Sequence, residues 1–362
     1  MSRTFVHSIF RREQLFNVIL LCVPRPAPTS PTSGVETSQS DGEAGHFPAS
    51  LLYSAAKLYY TEDATQADVA AQLGCSRATV SRLLAEAKRR GIVRIEVIPP
   101  AEVSSGDLAD QLSRALALTT VFLSLPVPNP GPGRTVPDVM GSVLAPAVGR
   151  ALTAAGLLPG DILLVSSGRT VYEVAQFDLV PLPGVLVAPT VGGNDQPDEW
   201  YQTNEITRLV ANRVGGRANY LFAPALPGPD LYPSLRNDPS IQRVLHLWPH
   251  ARCALMGIGA PPLLRSDIPQ FVPTRSNALR AAVGDVCSRF YDRDGREVPF
   301  EGGDRLIAVE LEALRHIPVT IGVAIGAEKV ESIIAGARGG YFNQLVTDPA
   351  TAEAILARVD QA

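Results

Sequence analysis

Two groups of side chains in this chain could do chemistry. The first is Ser76, Arg77, Ala78, Thr79, Ser81 and Arg82, a run of small hydroxyls and guanidinium groups. On one face of a helix in the major groove of DNA, such side chains reach base edges and phosphates. The second group sits in four short loops: Ser166-Ser167-Gly168-Arg169-Thr170, Thr190-Val191-Gly192-Gly193, Gly257-Ile258-Gly259 and Gly326-Ala327-Glu328-Lys329. The first loop combines hydroxyls, a glycine, a fixed cation and the start of a helix, all of which suit a phosphate. A solvated strand-to-helix turn also uses Ser, Gly and Thr, so the loop alone admits both readings.

The first group must be positioned by the stretch from Thr65 to Gly91, TQADVAAQLGCSRATVSRLLAEAKRRG. Thr65 is a good N-cap, and Val69, Ala70 and Leu73 give a first helix one apolar face. Gly74 closes that helix, where a positive φ suits glycine. Ser76 caps a second helix, in which Val80, Leu83, Leu84 and Ala87 recur at three- and four-residue spacing. Gly91 ends it. Two helices joined so tightly must pass close together, which the small Ala70 permits. An amphipathic hairpin in a core would share the periodicity. The turn and both faces are constrained together here, and that favours a helix-turn-helix. A leading helix from Leu51 to Tyr60, with Leu52, Ala55, Ala56 and Tyr59 on one side, completes a three-helix unit. After Gly91, IVRIEVIPP alternates over Val93, Ile95 and Val97 and predicts a strand, as a wing or short hinge ribbon, ended by Pro99 and Pro100.

Charge supports this division. From Leu51 to Arg94 seven basic residues face four acidic ones, a net of +3, within a chain of −4 overall. A locally basic small domain on an acidic body fits a DNA reader whose larger part must not adhere to DNA. No segment has the length of a membrane-spanning helix. The four cysteines, Cys22, Cys75, Cys253 and Cys287, are scattered without a CxxC pair, which predicts a reducing, cytoplasmic setting. His246, His250 and Cys253 form a metal-like cluster, but Pro249 disfavours the helix that would align the histidines. Packing or surface histidines are the preferred reading, and neither metal nor cofactor is expected. Residues 1–50 read as a disordered or extraneous leader. Leu15 to Val23 superficially resembles a signal peptide without a convincing cleavage site, and a Pro/Ser/Thr/Gly-rich tract follows.

From Ser104 onward helices and strands alternate. Helices are predicted over Asp107–Leu116, Val139–Ala155 and Thr203–Val214. Strands are predicted over Thr119–Leu125, Asp161–Val165, VLVAPTVGG, Tyr220–Ala223, ARCALMGIGAP and VTIGVAIG. The fold class is therefore α/β, a doubly wound, mostly parallel sheet behind a small N-terminal helix-turn-helix domain. Ligands bind such sheets in the loops at the carboxyl ends of strands, where the four candidate loops lie.

The helix-turn-helix, SSGRTVYEVA, GDVCSRFYDRDG (Gly284 to Gly295) and AIGAEKVESIIAGARGGYFNQLVTDPATAEAIL (Ala324 to Leu356) together resemble SorC/DeoR-type sugar-responsive transcriptional regulators. The resemblance covers about residues 51–358. It implies an effector domain similar to sugar-phosphate isomerases and deaminases, a phosphorylated sugar as effector, and dimers or tetramers on palindromic operators. It places Gly168, Arg169 and Thr170 in a phosphate loop, Gln202 and Asn204 near sugar or phosphate, Asp285 on sugar hydroxyls, and Lys329 as a second phosphate-facing cation. Turn capping for Asp285 and a solvated helix start for Lys329 are the plainer alternatives. Two positions depart from the pattern. Val165-Ser166-Ser167 stands where relatives often have a glycine and a bulky residue, and Ser288 where many have glycine. Cys287 beside it reads as a packed apolar residue rather than a nucleophile.

The chain thus divides into a leader (1–50), a DNA-binding domain with its following strand (51–100) and an effector domain (101–362). The expected function is an operator-binding regulator of carbohydrate genes. An isomerase or deaminase with an accessory DNA-binding domain is the rival, but Asp285 has no motif-level His or Glu partner for acid–base work. A structural nucleoid protein would leave the large domain unexplained.

Overall fold

The computed structural model describes residues 47–93, 105–130, 135–194, 196, 198, 202–265, 268–273 and 277–361. The leader, apart from its last few residues, and the strand expected after Gly91, apart from Ile92 and Val93, lie outside these. Contacts divide the chain into two units that meet between Ile98 and Pro99.

The first unit is three helices, α1 (Ala49–Tyr60), α2 (Gln66–Leu73) and α3 (Arg77–Arg89). Thr65 and Asp68 form a reciprocal capping box, in which the Asp68 carboxylate accepts from the Thr65 N–H at 3.0 Å. These hydrogen bonds from Thr65 hold the Asp68 carboxyl below its ordinary range. Gly74 takes the left-handed conformation (φ 63°) and turns the chain into α3. Leu52, Ala55, Val69, Val80, Leu83 and Ala87 are fully buried and form the unit's core, with Ala70 packed beside them. Each such leucine stabilises the fold by about 1.5–3 kcal/mol. Leu83→Ala would therefore destabilise the three-helix unit as a whole.

The second unit is built on seven parallel strands. Its elements are α4 (Ser105–Ala115), β1 (Thr120–Leu123), α5 (Pro137–Ala155), β2 (Ile162–Val165), α6 (Arg169–Ala175), β3 (Leu186–Pro189), α7 (Thr203–Val214), β4 (Arg217–Ala218), α8 (Tyr232–Asn237), α9 (Pro239–Leu245), β5 (Cys253–Gly257), β6 (Gly284–Val286), β7 (Arg289–Tyr291), α10 (Leu311–Leu314), β8 (Val319–Val323), α11 (Val330–Arg338), β9 (Gln344–Thr347) and α12 (Pro349–Val359). The strand order is β1-β9-β8-β5-β2-β3-β4, and β6-β7 is a separate antiparallel hairpin. The strands are near-continuous apolar runs because both faces are covered. Alternate residues of one strand enter different cores. Ile162, Leu164, Ala254 and Met256 pack with α4, α9, α11 and α12, whereas Leu163, Val165, Cys253 and Leu255 pack with α5, α6 and α7.

From β2 the chain runs to β3 and β4 on one side, and later strands β5, β8 and β9 add on the other. The order reverses between β2 and β5, and a crevice opens at the carboxyl ends of such neighbours. One expected strand is corrected. Residues Tyr220–Ala223 form no strand, and the edge strand is the earlier Arg217–Ala218. The backbone of Leu221 is satisfied by a side chain instead of a ladder: Asn204 Oδ1 accepts its N–H at 2.9 Å, and Asn204 Nδ2 donates to its carbonyl at 3.2 Å. No helix among the described residues is long and apolar enough to cross a membrane.

Candidate functional site

Three adjacent strands, β8, β5 and β2, deliver three of the four glycine loops to one cleft. It is open to solvent, holds about 620 Å³ of empty space counting its open mouth, and is lined by Ser167–Thr170, Gly257–Gly259, Arg265, Pro269, Asp285, Cys287, Ser288 and Lys329. The β2 and β8 loops have the same backbone. Gly168 (φ 118°, ψ 154°) precedes α6, and Gly326 (φ 110°, ψ 146°) precedes the 3₁₀ turn that leads into α11. That conformation is essentially restricted to glycine. It turns each chain sharply from strand to helix, so Arg169 and Lys329 arrive at the same edge of the sheet. Ser166, buried beneath, ties the loops together by accepting from the Gly257 N–H at 3.0 Å.

The charged groups of the cleft are held by the protein itself. Arg169 Nη2 lies 3.3 Å from Asp138 Oδ1 on α5, and its Nε lies 3.7 Å from Glu173 Oε1 on α6. Asp138 gets there because Gly141, one turn on, lets α5 rest directly on the α6 backbone, where a Cβ would collide with the Glu173 carbonyl. Burial raises the Glu173 carboxyl above its ordinary range, the Arg169 charge opposes that shift, and Asp138 adds to it. Lys329 Nζ donates to the Ile258 carbonyl at 2.8 Å. Asp285, mostly buried, pairs with Arg265 at 2.9 Å. Gly259 makes that pair possible, since a Cβ there would overlap both partners. The Gly259 N–H donates to the Asp285 carbonyl at 2.9 Å and fixes the hairpin to the β5 loop.

The cleft therefore assembles Gly168, Arg169, Thr170, Asp285 and Lys329. It does not take in Gln202 or Asn204. Gln202 Nε2 donates to the Gln196 carbonyl at 2.6 Å, and Asn204 is the clamp on Leu221 described above. Both sit at the start of α7, on the β3 side of the sheet, and their amides serve the backbone. The Thr190–Gly193 loop is also outside the lining. Gly192 and Gly193 instead bond the chain at Ile307 and Ala223. Arg265 escaped sequence reasoning because it follows a short 3₁₀ turn (Pro262–Leu264) with no periodic pattern. The Arg169–Glu173 pair was legible as an i, i+4 couple on a helix.

Cys287 packs at the cleft floor with its thiol donating to Met256 Sδ at 3.5 Å, and burial pushes its pKa up to about 12. It is no nucleophile at neutral pH. Cys253 lies fully buried in β5, His250 Nδ1 bonds the His246 carbonyl at 2.8 Å, and His246 is exposed at the surface. Among the described lining residues there is no histidine or glutamate to partner Asp285 in acid–base chemistry.

On α3 the arrangement differs. Ser76 spends its hydroxyl as N-cap, accepting from the Thr79 N–H at 3.1 Å, and bonds the Thr79 hydroxyl at 2.9 Å. Arg77, Ala78, Ser81 and Arg82 are exposed. Farther along, Glu86 takes both Arg89 and Arg90. Lys88 lies over the Tyr60 ring at 5.6 Å.

Comparison with known proteins agrees with this architecture. Residues 103–357 match the family model described as "Putative sugar-binding domain". The deoxyribonucleoside regulator of Bacillus subtilis is 32% identical over 84% of this chain and 97% of its own length. The sorbitol operon regulator of Klebsiella pneumoniae is 30% identical over 84% of this chain and 97% of its own length. The crystal structure of full-length SorC from Klebsiella pneumoniae superposes with a TM-score of 0.61 at 29% identity, covering 85% of this chain and 98% of that one. The chain belongs to the SorC-type family of sugar-binding transcriptional regulators, and it is a regulator rather than an enzyme.

Proposed function

We propose that the cleft binds a phosphorylated sugar and that its occupancy sets the affinity of α3 for an operator. The observation that carries this is the convergence on one cleft of Gly168 after β2, Lys329 after β8 and, beside the β5 loop, the Asp285–Arg265 pair. A phosphate dianion suits a glycine-rich loop with an Arg and a Lys at hand, and vicinal hydroxyls suit a fixed carboxylate with a guanidinium beside it. Arg169, Thr170 and Lys329 take the phosphate, while Asp285 and Arg265 take the sugar. On α3, Arg77, Ala78, Ser81 and Arg82 face the DNA, with Ser76 and Thr79 holding the helix start.

The effector shifts operator affinity only by its preference between DNA-competent and incompetent arrangements of the protein. In a dimer or tetramer acting in the cytoplasm, that preference is expressed as the spacing of two recognition helices. Relatives named for a sorbitol operon and for deoxyribonucleosides support a polyhydroxylated effector. A thermal-shift screen of sugar phosphates against the full chain tests the reading, because a ligand specific to the native state raises Tm by mass action. A sugar phosphate that stabilises the wild type but not Lys329→Ala supports it. Equal stabilisation of both proteins moves the phosphate site elsewhere.

A further inference from the structure

We infer that Ser288 is a specificity-determining residue of the cleft, donating its hydroxyl to a ligand oxygen that carries no proton. The inference rests on the sugar-phosphate reading above. Cys287 and Ser288 form the two-residue turn of the β6–β7 hairpin, and both have positive φ, 52° and 62°. Such a turn favours glycine or asparagine at its central positions, because a Cβ in the left-handed region crowds its own backbone. Cys287 has a packing reason to be there, since it is buried and its thiol reaches Met256. Ser288 has none. It is half-buried, it lines the cleft, and its hydroxyl makes no hydrogen bond to any described residue. A glycine would relax the turn without uncovering any core.

The turn is also held rigidly. Arg289 Nε donates to the Val309 carbonyl at 3.0 Å, the Tyr291 hydroxyl to the Ser332 carbonyl at 3.0 Å, and the Val283 N–H to the Tyr291 carbonyl at 2.9 Å. The Ser288 backbone is therefore held in a fixed place at the cleft, three residues along the same hairpin from Asp285. The two groups are complementary. A carboxylate only accepts, so Asp285 takes a sugar hydroxyl, whereas a serine hydroxyl also donates. Ser288 thus lets the cleft hold a carbonyl or ring oxygen beside the hydroxyl that Asp285 holds. The matching alditol has no ring oxygen and carries a hydroxyl in place of the carbonyl, whose own proton needs a further acceptor, so the contact favours the sugar.

Calorimetric titration of the full chain with glucose 6-phosphate, fructose 6-phosphate, ribose 5-phosphate and their alditol phosphates tests the inference in wild type, Ser288→Ala and Ser288→Gly. Both variants should lose about fivefold affinity for the tightest-binding sugar phosphate, the loss of one neutral hydrogen bond, and so narrow its advantage over the matching alditol by the same factor. Ser288→Gly should also raise Tm by a few degrees, and Ser288→Ala should not, since alanine keeps the crowded Cβ. Wild-type affinity in both variants overturns the inference and leaves the site reading intact. Weakening by alanine alone, or equal weakening towards the alditol, overturns it as well. If the wild type binds none of the sugar phosphates, the site reading falls and takes this inference with it.

Discussion

The two charged surfaces of this protein are built on opposite plans. On α3 the leading cations Arg77 and Arg82 stand exposed, with no carboxylate partner among the described residues. Among the described residues lining the cleft, each cation already rests on protein oxygen: Arg169 on Asp138 and Glu173, Arg265 on Asp285, and Lys329 on the Ile258 carbonyl. A polyanion docking on α3 would meet cations not yet neutralised by the protein, and on the proposed reading its binding would be salt-dependent. A ligand in the cleft would instead compete with these internal partners for the same cations, so its affinity would be a difference between two sets of hydrogen bonds. A difference of that kind discriminates among ligands, because an oxygen wrongly placed leaves a buried group unpaired.

The large effects break one side of this contrast or the other, beginning with α3. Arg77→Ala or Arg82→Ala should weaken operator binding by roughly 1–3 kcal/mol, measured by anisotropy at moderate salt. A base-reading arginine relaxes specificity at one position, whereas a phosphate contact weakens all sequences alike and lowers the salt slope. Unchanged affinity in both variants would remove this face from the account. In the cleft, Lys329→Ala should weaken a sugar phosphate about ten- to a hundredfold, as expected for one charge-assisted contact of about 1.5–3 kcal/mol. Asp285→Asn should alter the ranking among sugars more than the overall affinity, because an amide donates where the carboxylate only accepts. An unaltered ranking would take Asp285 off the sugar.

Smaller effects sharpen the contrast. Glu86→Gln frees Arg89 and Arg90, and should raise non-specific DNA affinity a few-fold at low salt, with little effect at high salt. Glu173→Gln removes one competitor for Arg169 and should strengthen sugar-phosphate binding modestly. The same variant tests the electrostatics of the fold. The Glu173 carboxyl titrates above its ordinary 4.5 in the folded chain, so the native state holds that proton more tightly than the unfolded state does. Its contribution to stability is therefore present at low pH and lost as pH rises from about 4.5 through the raised pKa. Thermal melts of Glu173→Gln across that window should show a flatter decline than wild type.

What the sequence disclosed follows the range of the forces involved. The helix-turn-helix was legible because caps, periodicity and the Gly74 turn are local, and Thr65, Ser76 and Gly74 take the roles their types predict. The α/β class was legible because strands covered on both faces must be apolar throughout. The cleft's loops could be picked out by their glycines, but not which of them converge. That depends on strand order, and it separates the Gly168, Gly257–Gly259 and Gly326–Lys329 loops from Gly192–Gly193. Asn204 went to the backbone of Leu221 because the chain leaves the sheet there, a tertiary event without local pattern. Arg265 lay hidden in an irregular segment for the same reason.

The central claim is that occupancy of the cleft and affinity for DNA are linked, and one measurement reaches it directly. A palindromic operator, selected by the protein from random DNA, is titrated with wild type and Lys329→Ala at increasing concentrations of the tightest-binding sugar phosphate. The account predicts that saturating sugar phosphate changes wild-type operator affinity roughly 5–150-fold, the range of a coupling of about 1–3 kcal/mol. It also predicts that Lys329→Ala matches wild type without the sugar phosphate and needs about ten- to a hundredfold more of it for the same change. Operator affinity that stays constant while the sugar phosphate saturates the cleft, or a sugar phosphate recovered chemically altered, would contradict it.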